Sequence, residues 1–511
     1  MKPLIFLFCL LIGVVVHAQL ERTGTPVSWN QELSIPVEGE SVGEANIEFL
    51  LAEDATHVDD RSVPYRFAFA REVSWTMNNS GSWYNLANGD RLWILGIAYD
   101  GAHSIAVTLN QLHLPKGGKL YVYSEDHEDY LGPLTESENR SCEIGLPHIR
   151  GQKIYIEYYE PRLYRGEGSL SVGYVAGSYR NLQSEALPLQ SCAQWLAGSV
   201  IGDEPSGSSV MRVLVDHGQR YATAVLVNNS SNSAEPLVFL PSSALMGSAA
   251  SLVFQFGLND QQCLEGFASC AAQIICGADV VCADVEVGLS LLRLKKAPLS
   301  DWDAYYTGWS VGPSVQNEYC CVQHPKGLSK SYSQYHEAFV PVVQDNSVFI
   351  GLEGEGQGQT YGGSLGSPLF DSDWNLVGLF IGGNSRCVMS GGADRFVLLQ
   401  DVWPTFRQFL DPLQSSSDRI PGMELPDAEI VIAERTLMRV FPNPAVDRIE
   451  LMGGQDFAVY SIKMYDGMGR LLLSNIGQSS VDVSHLLEGV YTLAASTNSG
   501  VLSQTVLITK K

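Results

Sequence analysis

The stretch Gly362-Gly363-Ser364-Leu365-Gly366-Ser367-Pro368-Leu369-Phe370 is a glycine-rich turn that leads into an apolar segment. Glycines let such a turn bring backbone N–H groups and a side-chain hydroxyl to the same carbonyl group. The central position of this turn is occupied by Leu365. Because a leucine side chain has no oxygen, it cannot attack a carbonyl carbon. The turn therefore has no attacking group at its central position.

The segments around this turn contain short runs of β-branched and aromatic residues. Runs such as Lys119-Leu120-Tyr121-Val122-Tyr123 alternate with Gly, Pro and Asn turns over residues 71–180, and runs such as Val210-Met211-Arg212-Val213-Leu214-Val215 continue over residues 208–410. Helical character is confined to residues 402–410. This pattern predicts an all-β protein that begins with a β-sandwich.

The length of the chain indicates several domains. Its 511 residues are too many for one core and favour roughly three domains of about 100–200 residues each. A polar stretch between Pro412 and Arg435 is typical of a linker, and short strands resume near Leu437. The predicted boundaries are 1–18 for a signal peptide, 19–187 for the N-terminal sandwich, 188–411 for a central β domain, 412–436 for the linker and 437–511 for a small C-terminal sandwich.

The first residues have the three parts of a secretory signal. Met1-Lys2 is basic, the run from Leu4 to Val16 is apolar, and His17-Ala18 ends in a small residue, which predicts cleavage after Ala18. The apolar run is shorter than the ~20 residues that a spanning helix needs. No later segment is apolar enough to span a membrane. We therefore expect an exported protein without a transmembrane segment.

The composition excludes several classes of partner. A net charge of −24 repels phosphate backbones, so nucleic acid is not an expected partner. Metal-ligand spacing is missing, since no Cys-x-x-Cys occurs and the His residues are scattered, and no cofactor is expected. An exported protein favours structural disulfides, and an odd number of cysteines leaves at least one unpaired. The cysteines that remain after signal cleavage are Cys142, Cys192, Cys263, Cys270, Cys276, Cys282, Cys320, Cys321 and Cys387.

The C-terminal segment contains three motifs in a characteristic order. They are Val440-Phe441-Pro442-Asn443-Pro444, Tyr465-Asp466-Gly467-Met468-Gly469-Arg470 and Val483-Ser484-His485-Leu486-Leu487-Glu488-Gly489-Val490-Tyr491, before a Lys510-Lys511 end. This segment resembles the type A C-terminal sorting domain of Bacteroidota type 9 secretion substrates. The resemblance implies passage across the outer membrane, with the type 9 secretion machinery as a partner and release or attachment at the cell surface.

Residues 188–410 resemble the lysyl endopeptidase branch of trypsin-like serine proteases. The matching segments are Val225-Leu226-Val227-Asn228-Asn229, Tyr305-Tyr306-Thr307-Gly308-Trp309, Val322-Gln323-His324-Pro325-Lys326-Gly327, the Leu365 turn and Gly382-Gly383-Asn384-Ser385-Arg386-Cys387. The resemblance implies a double β-barrel. The segment before it resembles the propeptide-type domain that precedes such proteases.

This resemblance places the catalytic triad on residues that cannot perform its chemistry. The base position is Ala244, the position that orients the base is Gly288, and the nucleophile position is Leu365. Two cysteines that bridge near the base in the family are also replaced, by Ala222 and Leu245. The joint loss of the cysteine pair indicates coherent remodelling of the site.

Four polar residues near these positions are not expected to replace the missing catalytic groups. Asp284 lies four residues out of register on a strand where each residue moves the side chain by ~3.3 Å. Ser364 and Ser367 are displaced from the position that aims the oxygen at the base. His324 lies in a motif, and we expect a structural hydrogen bond for it.

The resemblance also implies a substrate pocket and one disulfide. Asp394 matches the carboxylate with which lysine-specific members grip an ammonium group. An ordinary surface Asp beside Arg395 is the alternative, and both remain open here. The remaining implied residues are Trp309, Gly363 and Ile381 for the pocket or binding site and the pair Cys192–Cys387 for the disulfide.

Three functions are compatible with these residues. The first is a secreted or cell-surface pseudoprotease that acts as a binding or scaffold protein, with an unidentified protein or peptide ligand that presents Lys. The second is an active Lys- or Arg-directed endopeptidase that uses other catalytic residues. The third is a structural or adhesive surface protein in which the N-terminal domain stays attached to the barrel.

Overall fold

The computed structural model describes residues 24–30, 39–57, 60–140, 142–182, 194–195, 199, 204–259, 273–300, 302, 304–312, 318–335, 339–344, 347–352, 358–385, 393–415, 417–425, 439–452, 459–465, 470–476, 479–497 and 500–510. The chain divides into two compact units, residues 1–425 and 426–511. Within the described residues, no helix has both the length and the apolar character needed to cross a membrane. The predicted signal peptide lies outside the described residues.

The first part of the larger unit is a sandwich of two mainly antiparallel sheets. One sheet has the order β1-β5-β11-β7-β8, with β4 on β5, and the other has the order β10-β6-β12-β3, with β9 on β6. Apolar residues from the two sheets meet in one buried core. The strands are β1 (Glu40–Ser41), β2 (Tyr65–Arg66), β3 (Ala68–Thr76), β4 (Ser82–Asn85), β5 (Arg91–Ala98), β6 (Ser104–His113), β7 (Lys119–Ser124), β8 (Tyr130–Leu134), β9 (Ile144–Gly145), β10 (Ile149–Arg150), β11 (Lys153–Glu160) and β12 (Ser169–Ser178).

A helix that the sequence analysis missed precedes β2. Helix α1 spans Ile47–Ala55, and the side chain of Asn46 caps it by accepting a hydrogen bond from the N–H of Phe49 at 3.0 Å. Asn is a favoured capping residue, and Glu48 lies in the first turn, where a negative charge stabilises a helix. These two signals were present in the sequence.

Two further sheets follow in the same unit. The first has the order β18-β17-β14-β15-β16-β20-β19, and the second has the order β13-β24-β23-β27-β28-β29-β26-β25. The all-β prediction is confirmed. The strands are β13 (Gln194–Trp195), β14 (Val210–Val215), β15 (Arg220–Val227), β16 (Leu237–Pro241), β17 (Val253–Phe256), β18 (Gln273–Cys276), β19 (Ala278–Asp284), β20 (Leu289–Leu294), β21 (Tyr305–Tyr306), β22 (Trp309–Ser310), β23 (Tyr319–Gln323), β24 (Ser331–Tyr335), β25 (Phe339–Gln344), β26 (Ser347–Leu352), β27 (Pro368–Phe370), β28 (Leu376–Gly383), β29 (Asp394–Leu398), β30 (Arg419–Ile420) and β31 (Met423–Glu424).

Helix α2 spans Leu399–Leu410 and closes the core between these two sheets. Its buried residues recur with helical spacing, and among them Phe406 packs edge-to-face on Phe239 of β16, with ring centroids 5.1 Å apart. The helical character predicted for residues 402–410 is therefore confirmed. Short 3-10 helices occur at Val27–Asn30, Glu136–Glu138, Arg162–Tyr164, Pro205–Ser209, Asp216–Gly218, Ser242–Ala244, Ala249–Ser251 and Pro325–Gly327.

Part of the predicted linker is packed into the larger unit. Strand β30 pairs with β22, and strand β31 pairs with β21. Each is only two residues long and has no alternating apolar pattern, which is why the sequence analysis assigned this segment to the linker. Two short segments of the predicted linker, Arg419–Ile420 and Met423–Glu424, are therefore strands of the larger unit.

The N-terminal sandwich and the first sheet of the central domain share one core. Strand β2 extends that sheet by pairing with β15, where Tyr65 faces Tyr221. The ring of Phe67 stacks on the ring of Tyr221, with centroids 4.2 Å apart and an interplanar angle of 7°. Nearby, a ring nitrogen of His148 lies 2.8 Å from the carbonyl oxygen of Gly218. The sandwich therefore belongs to the same packed body as the central domain.

The C-terminal unit is a separate small β structure with its own core. Its sheets have the orders β32-β33-β36 and β35-β34-β37-β38. The side chain of Asn443, from the first of the three sequence motifs, accepts a hydrogen bond from the N–H of Leu507 at 2.9 Å. The strands are β32 (Arg439–Phe441), β33 (Arg448–Met452), β34 (Val459–Tyr465), β35 (Leu471–Ile476), β36 (Ser480–Asp482), β37 (Gly489–Thr497) and β38 (Gly500–Ile508).

Candidate functional site

The turn that carries Leu365 is shaped by two glycines with positive φ. Gly363 has a φ of +94° and Gly366 a φ of +89°, values at which other residues are strained. A Cβ at Gly363 would lie only 2.8 Å from the carbonyl oxygen of His324. The turn is held against β15, because the N–H of Thr223 donates to the carbonyl of Leu365 at 2.9 Å. Glycine is therefore required where the quoted stretch has it.

The side chain of Leu365 is part of an apolar core. It is 1% exposed and belongs to the same buried cluster as Ala244 and Ala222. This cluster lies where the family resemblance places the nucleophile, the base and one cysteine of the local disulfide. At these three positions the side chains therefore pack in one apolar cluster.

The two serines beside Leu365 make structural hydrogen bonds. Both are fully buried. The hydroxyl of Ser364 donates to the side-chain carbonyl of Gln323, and the hydroxyl of Ser367 donates to the backbone carbonyl of Ser364 at 2.6 Å. Gln323 in turn donates to the hydroxyl of Ser333 at 2.9 Å. These bonds fix the turn from inside.

The segments that carry the other two positions assigned by the family resemblance, Ala244 and Gly288, contact each other. Ala244 ends the 3-10 helix Ser242–Ala244, and the N–H of Ser242 donates to the carbonyl of Gly288 at 2.7 Å. Gly288 has a φ of +70°, and no described atom lies within 4 Å of the position that a Cβ would take. Neither Ala244 nor Gly288 carries a titratable side chain.

Asp284 and His324 are held by hydrogen bonds of their own. A carboxylate oxygen of Asp284 accepts the hydroxyl hydrogen of Thr405 at 2.8 Å, which ties this residue to α2. The ring of His324 is fully buried, with Nδ1 2.8 Å from the carbonyl oxygen of Leu328. Burial holds the pKa of His324 well below its ordinary value. His324 thus has the structural hydrogen bond that the sequence analysis expected.

Asp394 lies at the centre of a buried cluster of polar side chains, here called the Asp394 pocket, formed by Tyr335, Thr360, Ser385 and Asp394. Asp394 is 0% exposed. One carboxylate oxygen accepts hydrogen bonds from the hydroxyls of Tyr335 and Ser385, each at 2.7 Å, and the other accepts one from the hydroxyl of Thr360 at 2.9 Å. This burial removes the alternative of an ordinary surface Asp.

A cation from the N-terminal sandwich reaches the same pocket. The guanidinium of Arg61 donates to the hydroxyl of Thr360 at 2.9 Å and to the backbone carbonyl of Ser385 at 3.0 Å. Its Nη1 lies 3.8 Å from a carboxylate oxygen of Asp394. Arg61, Tyr335, Thr360 and Ser385 were not predicted as site residues, because none of them lies in a charged or metal-binding motif.

The structure does not bring the other proposed binding residues into this pocket. Trp309 is fully buried under α2, where its ring packs on Trp403 at 4.6 Å and its indole N–H donates to the carbonyl of Asn228 at 3.1 Å. Ile381 is partly buried and packs against the same core. Gly363 shapes the turn, as described above.

The expected disulfides receive no support from the described cysteines. Cys142, Cys276, Cys282, Cys320 and Cys321 are free thiols. The expectation of structural disulfides is therefore not confirmed for these five residues and stays a prediction. Burial raises the pKa of Cys276 to about 12, so that this thiol stays protonated. The predicted pair Cys192–Cys387 lies outside the described residues.

Two parts of the chain match known protein families. Residues 198–397 match the family model of the lysyl endopeptidase C-terminal domain, and residues 439–509 match that of the secretion system C-terminal sorting domain. Both resemblances inferred from the sequence are therefore confirmed. The sorting domain indicates secretion or location at the cell surface.

Solved structures similar to this chain include three related to proteases. An inactive form of Rv3671c from M. tuberculosis H37Rv, with a serine replaced by alanine, has 12% identity and a TM-score of 0.29, over 42% of this chain and 91% of that one. The MamO protease domain from Magnetospirillum magneticum has 12% identity and a TM-score of 0.28, over 39% of this chain and 97% of that domain. Kallikrein-related peptidase 10 in complex with Zn2+ has 15% identity and a TM-score of 0.29, over 41% of this chain and 98% of that one.

Proposed function

We propose that this chain is a secreted or cell-surface pseudoprotease, a non-catalytic binding or scaffold protein that the type 9 secretion system exports. The observation that carries the proposal is the apolar packing at the triad positions. Leu365 and Ala244 lie in one buried cluster, and Gly288 has no side chain. The lysyl endopeptidase match supports the protease fold, and the sorting-domain match supports the export route.

Acyl transfer by a serine protease needs three groups that act as a unit. A hydroxyl attacks, an imidazole takes its proton, and a carboxylate orients the imidazole. Loss of one catalytic Ser or His typically lowers turnover by ~10⁶. With Leu365, Ala244 and Gly288 in these places, only backbone N–H groups remain, and they cannot form an acyl-enzyme.

The second candidate, an active Lys- or Arg-directed endopeptidase, would need substitute catalytic groups. Ser364 and Ser367 flank Leu365 in the turn, and both are fully buried, with the hydroxyl of Ser364 bonded to Gln323 and that of Ser367 bonded to the carbonyl of Ser364. Asp284 is bonded to Thr405, and burial favours the neutral form of His324, whose Nδ1 is hydrogen-bonded to Leu328. An active enzyme would have to break these bonds before any of the four could act.

A serine-directed phosphonate and a lysyl anilide substrate test the proposal directly. The purified full chain should show neither covalent labelling nor turnover above background. The variant Leu365→Ser should behave in the same way, because the new hydroxyl has no base beside it. Labelling that maps to Ser364 or Ser367, and that Ser364→Ala or Ser367→Ala abolishes, would establish the second candidate.

The third candidate, a structural or adhesive surface protein, shares the absence of catalysis. The common core of the N-terminal sandwich and the first sheet favours it, because a domain that must leave to release an enzyme would expose this core. A pull-down from the native cell surface distinguishes this third candidate from the first candidate, the binding pseudoprotease. A soluble ligand recovered with the purified chain supports the binding function, whereas retention of the chain by the surface alone supports the structural one.

A further inference from the structure

Arg61 belongs to the N-terminal sandwich, yet it is 8% exposed because its side chain enters the Asp394 pocket. Guanidinium nitrogens contact the hydroxyl of Thr360 and both the hydroxyl and the backbone carbonyl of Ser385, at 2.9, 3.3 and 3.0 Å. The carboxylate of Asp394 supplies the compensating charge. A cationic side chain is thus already present where the family resemblance expects the cation of a substrate.

The residue that follows Arg61 lies beside the triad positions. The carbonyl oxygen of Ser62 accepts a hydrogen bond from the hydroxyl of Ser243 at 3.3 Å, and Ser243 directly precedes Ala244. On its other side, Ser62 packs against Gly382 of β28, where an added Cβ would lie 3.1 Å from the Cβ of Ser62. The chain therefore passes between a strand of the second sheet and the base position of the first.

The next residues extend the first sheet. The carbonyl of Pro64 accepts a hydrogen bond from the guanidinium of Arg220 at 3.1 Å, and Tyr65 then pairs with Tyr221 in antiparallel register. Addition of an extended segment to a sheet edge is a common way for proteins to bind peptides. The side chain of Tyr65 also packs on Gly362, beside the Leu365 turn.

Residues 61–66 combine the features of a bound peptide substrate. One cationic side chain fills a pocket with a buried carboxylate, the next residue lies beside the base position, and the following residues form an antiparallel strand. We propose that this segment is an internal pseudosubstrate and that Arg61 is the resident ligand of the Asp394 pocket. The inference goes beyond the proposed function and does not depend on it, because pocket occupancy is measurable whether or not the chain is catalytic.

The pocket suits a guanidinium better than an ammonium group. The planar fork of Arg61 donates to Thr360 and to Ser385 at the same time. An ammonium group is a more strongly hydrated point charge and lacks this fork, so lysine is the poorer occupant. A lysine-presenting ligand would therefore have to displace a better-fitting side chain that is supplied by the same polypeptide.

Binding of p-aminobenzamidine, a small amidinium probe, tests this assignment. In the full chain Arg61 should exclude the probe, and Arg61→Ala should bind it at least tenfold more tightly. The double variant Arg61→Ala/Asp394→Asn should lose this gain. Arg419→Ala, which removes a surface cation, is the matched control and should bind no better than the unmodified chain. Equal binding by the unmodified chain and a folded Arg61→Ala variant would overturn the proposal.

A second measurement uses the unmodified chain and does not depend on the folding of a variant. The arginine reagent p-hydroxyphenylglyoxal, followed by peptide mass mapping, reports the accessibility of each guanidinium. In the folded chain, Arg61 should react at least tenfold more slowly than the exposed Arg419. In the unfolded chain, the two arginines should react at comparable rates. Native reaction of Arg61 at the rate of Arg419 would show that the pocket is empty in solution and would refute the assignment.

Discussion

Replacement of Phe67 by alanine should destabilise the N-terminal sandwich and the central domain together. The Phe67 ring is 1% exposed and lies in the core that both domains share. It stacks on Tyr221 of the central domain and is tilted against His148 of the sandwich, with centroid distances of 4.2 and 4.9 Å. The variant removes an aromatic ring from the contact that joins the two domains.

The expected loss of unfolding free energy is about 3–5 kcal/mol, the usual range for a buried Phe changed to Ala, because the variant loses both transfer free energy and packing around a cavity. Phe49→Ala is the matched control, since this Phe is 62% exposed on α1 of the same sandwich. Phe49→Ala should change the unfolding free energy by no more than about 0.5 kcal/mol, as for most surface substitutions.

Urea unfolding of the full chain, followed by circular dichroism, measures both variants. Phe67→Ala should shift the transition that contains the sandwich and the central domain, without splitting it. A protease site introduced between residues 183 and 193 provides a second test, because the two halves should still elute together after cleavage. A cost below about 1 kcal/mol for Phe67→Ala, well under the range for a buried ring, or separation of the cut halves without denaturant, would refute a shared core.

Three other properties follow from buried groups. Burial lowers the pKa of His148 from 6.5 to about 4, so between pH 4 and pH 6.5 the unfolded chain binds more protons than the folded chain. About 3 kcal/mol of unfolding free energy should therefore be lost as the pH falls from 6.5 to 4. His148→Gln should remove this pH dependence of the unfolding free energy, as measured by urea titrations at several pH values. Asp394→Ala leaves three buried hydroxyls without their acceptor and the Arg61 guanidinium without its counter-charge, and it should cost about 3–5 kcal/mol. Asp373→Ala, in an exposed ion pair, should cost less than about 1 kcal/mol in the same assay. Iodoacetamide should label Cys142 in the native chain without reductant and Cys276 only after unfolding; native resistance of Cys142 would indicate a disulfide.

The backbone of the candidate site was predictable from local sequence. Two glycines of the quoted stretch have the positive φ values that a tight turn requires. The run from Val210 to Val215 forms β14, and residues 402–410 lie in α2. Each of these features depends on residues close together in the chain, where turn chemistry and hydrophobic periodicity carry the information.

The occupant of the pocket was not predictable in this way. Arg61 and Asp394 are separated by 333 residues, and Arg61 has no motif around it. The sequence identified Asp394 through a family resemblance and left its exposure open. Its burial depends on hydroxyls from β24 and from two loops, whose convergence is a property of the fold. The short strands β30 and β31 were missed because two-residue strands have no periodicity to detect.

If the triad is lost as we propose, its loss and the retention of Asp394 have one physical explanation under the pseudosubstrate proposal. In a chain with a complete triad, Ser62 would lie beside the catalytic base, and cleavage of the bond after Arg61 would release the segment from the cleft. Without a nucleophile this bond persists, so the segment can remain as a permanent part of the fold. Asp394 then has a structural task, because without it the buried guanidinium would lack a counter-charge. Retention of a specificity carboxylate is therefore compatible with complete loss of catalysis, and it does not require an external lysine ligand.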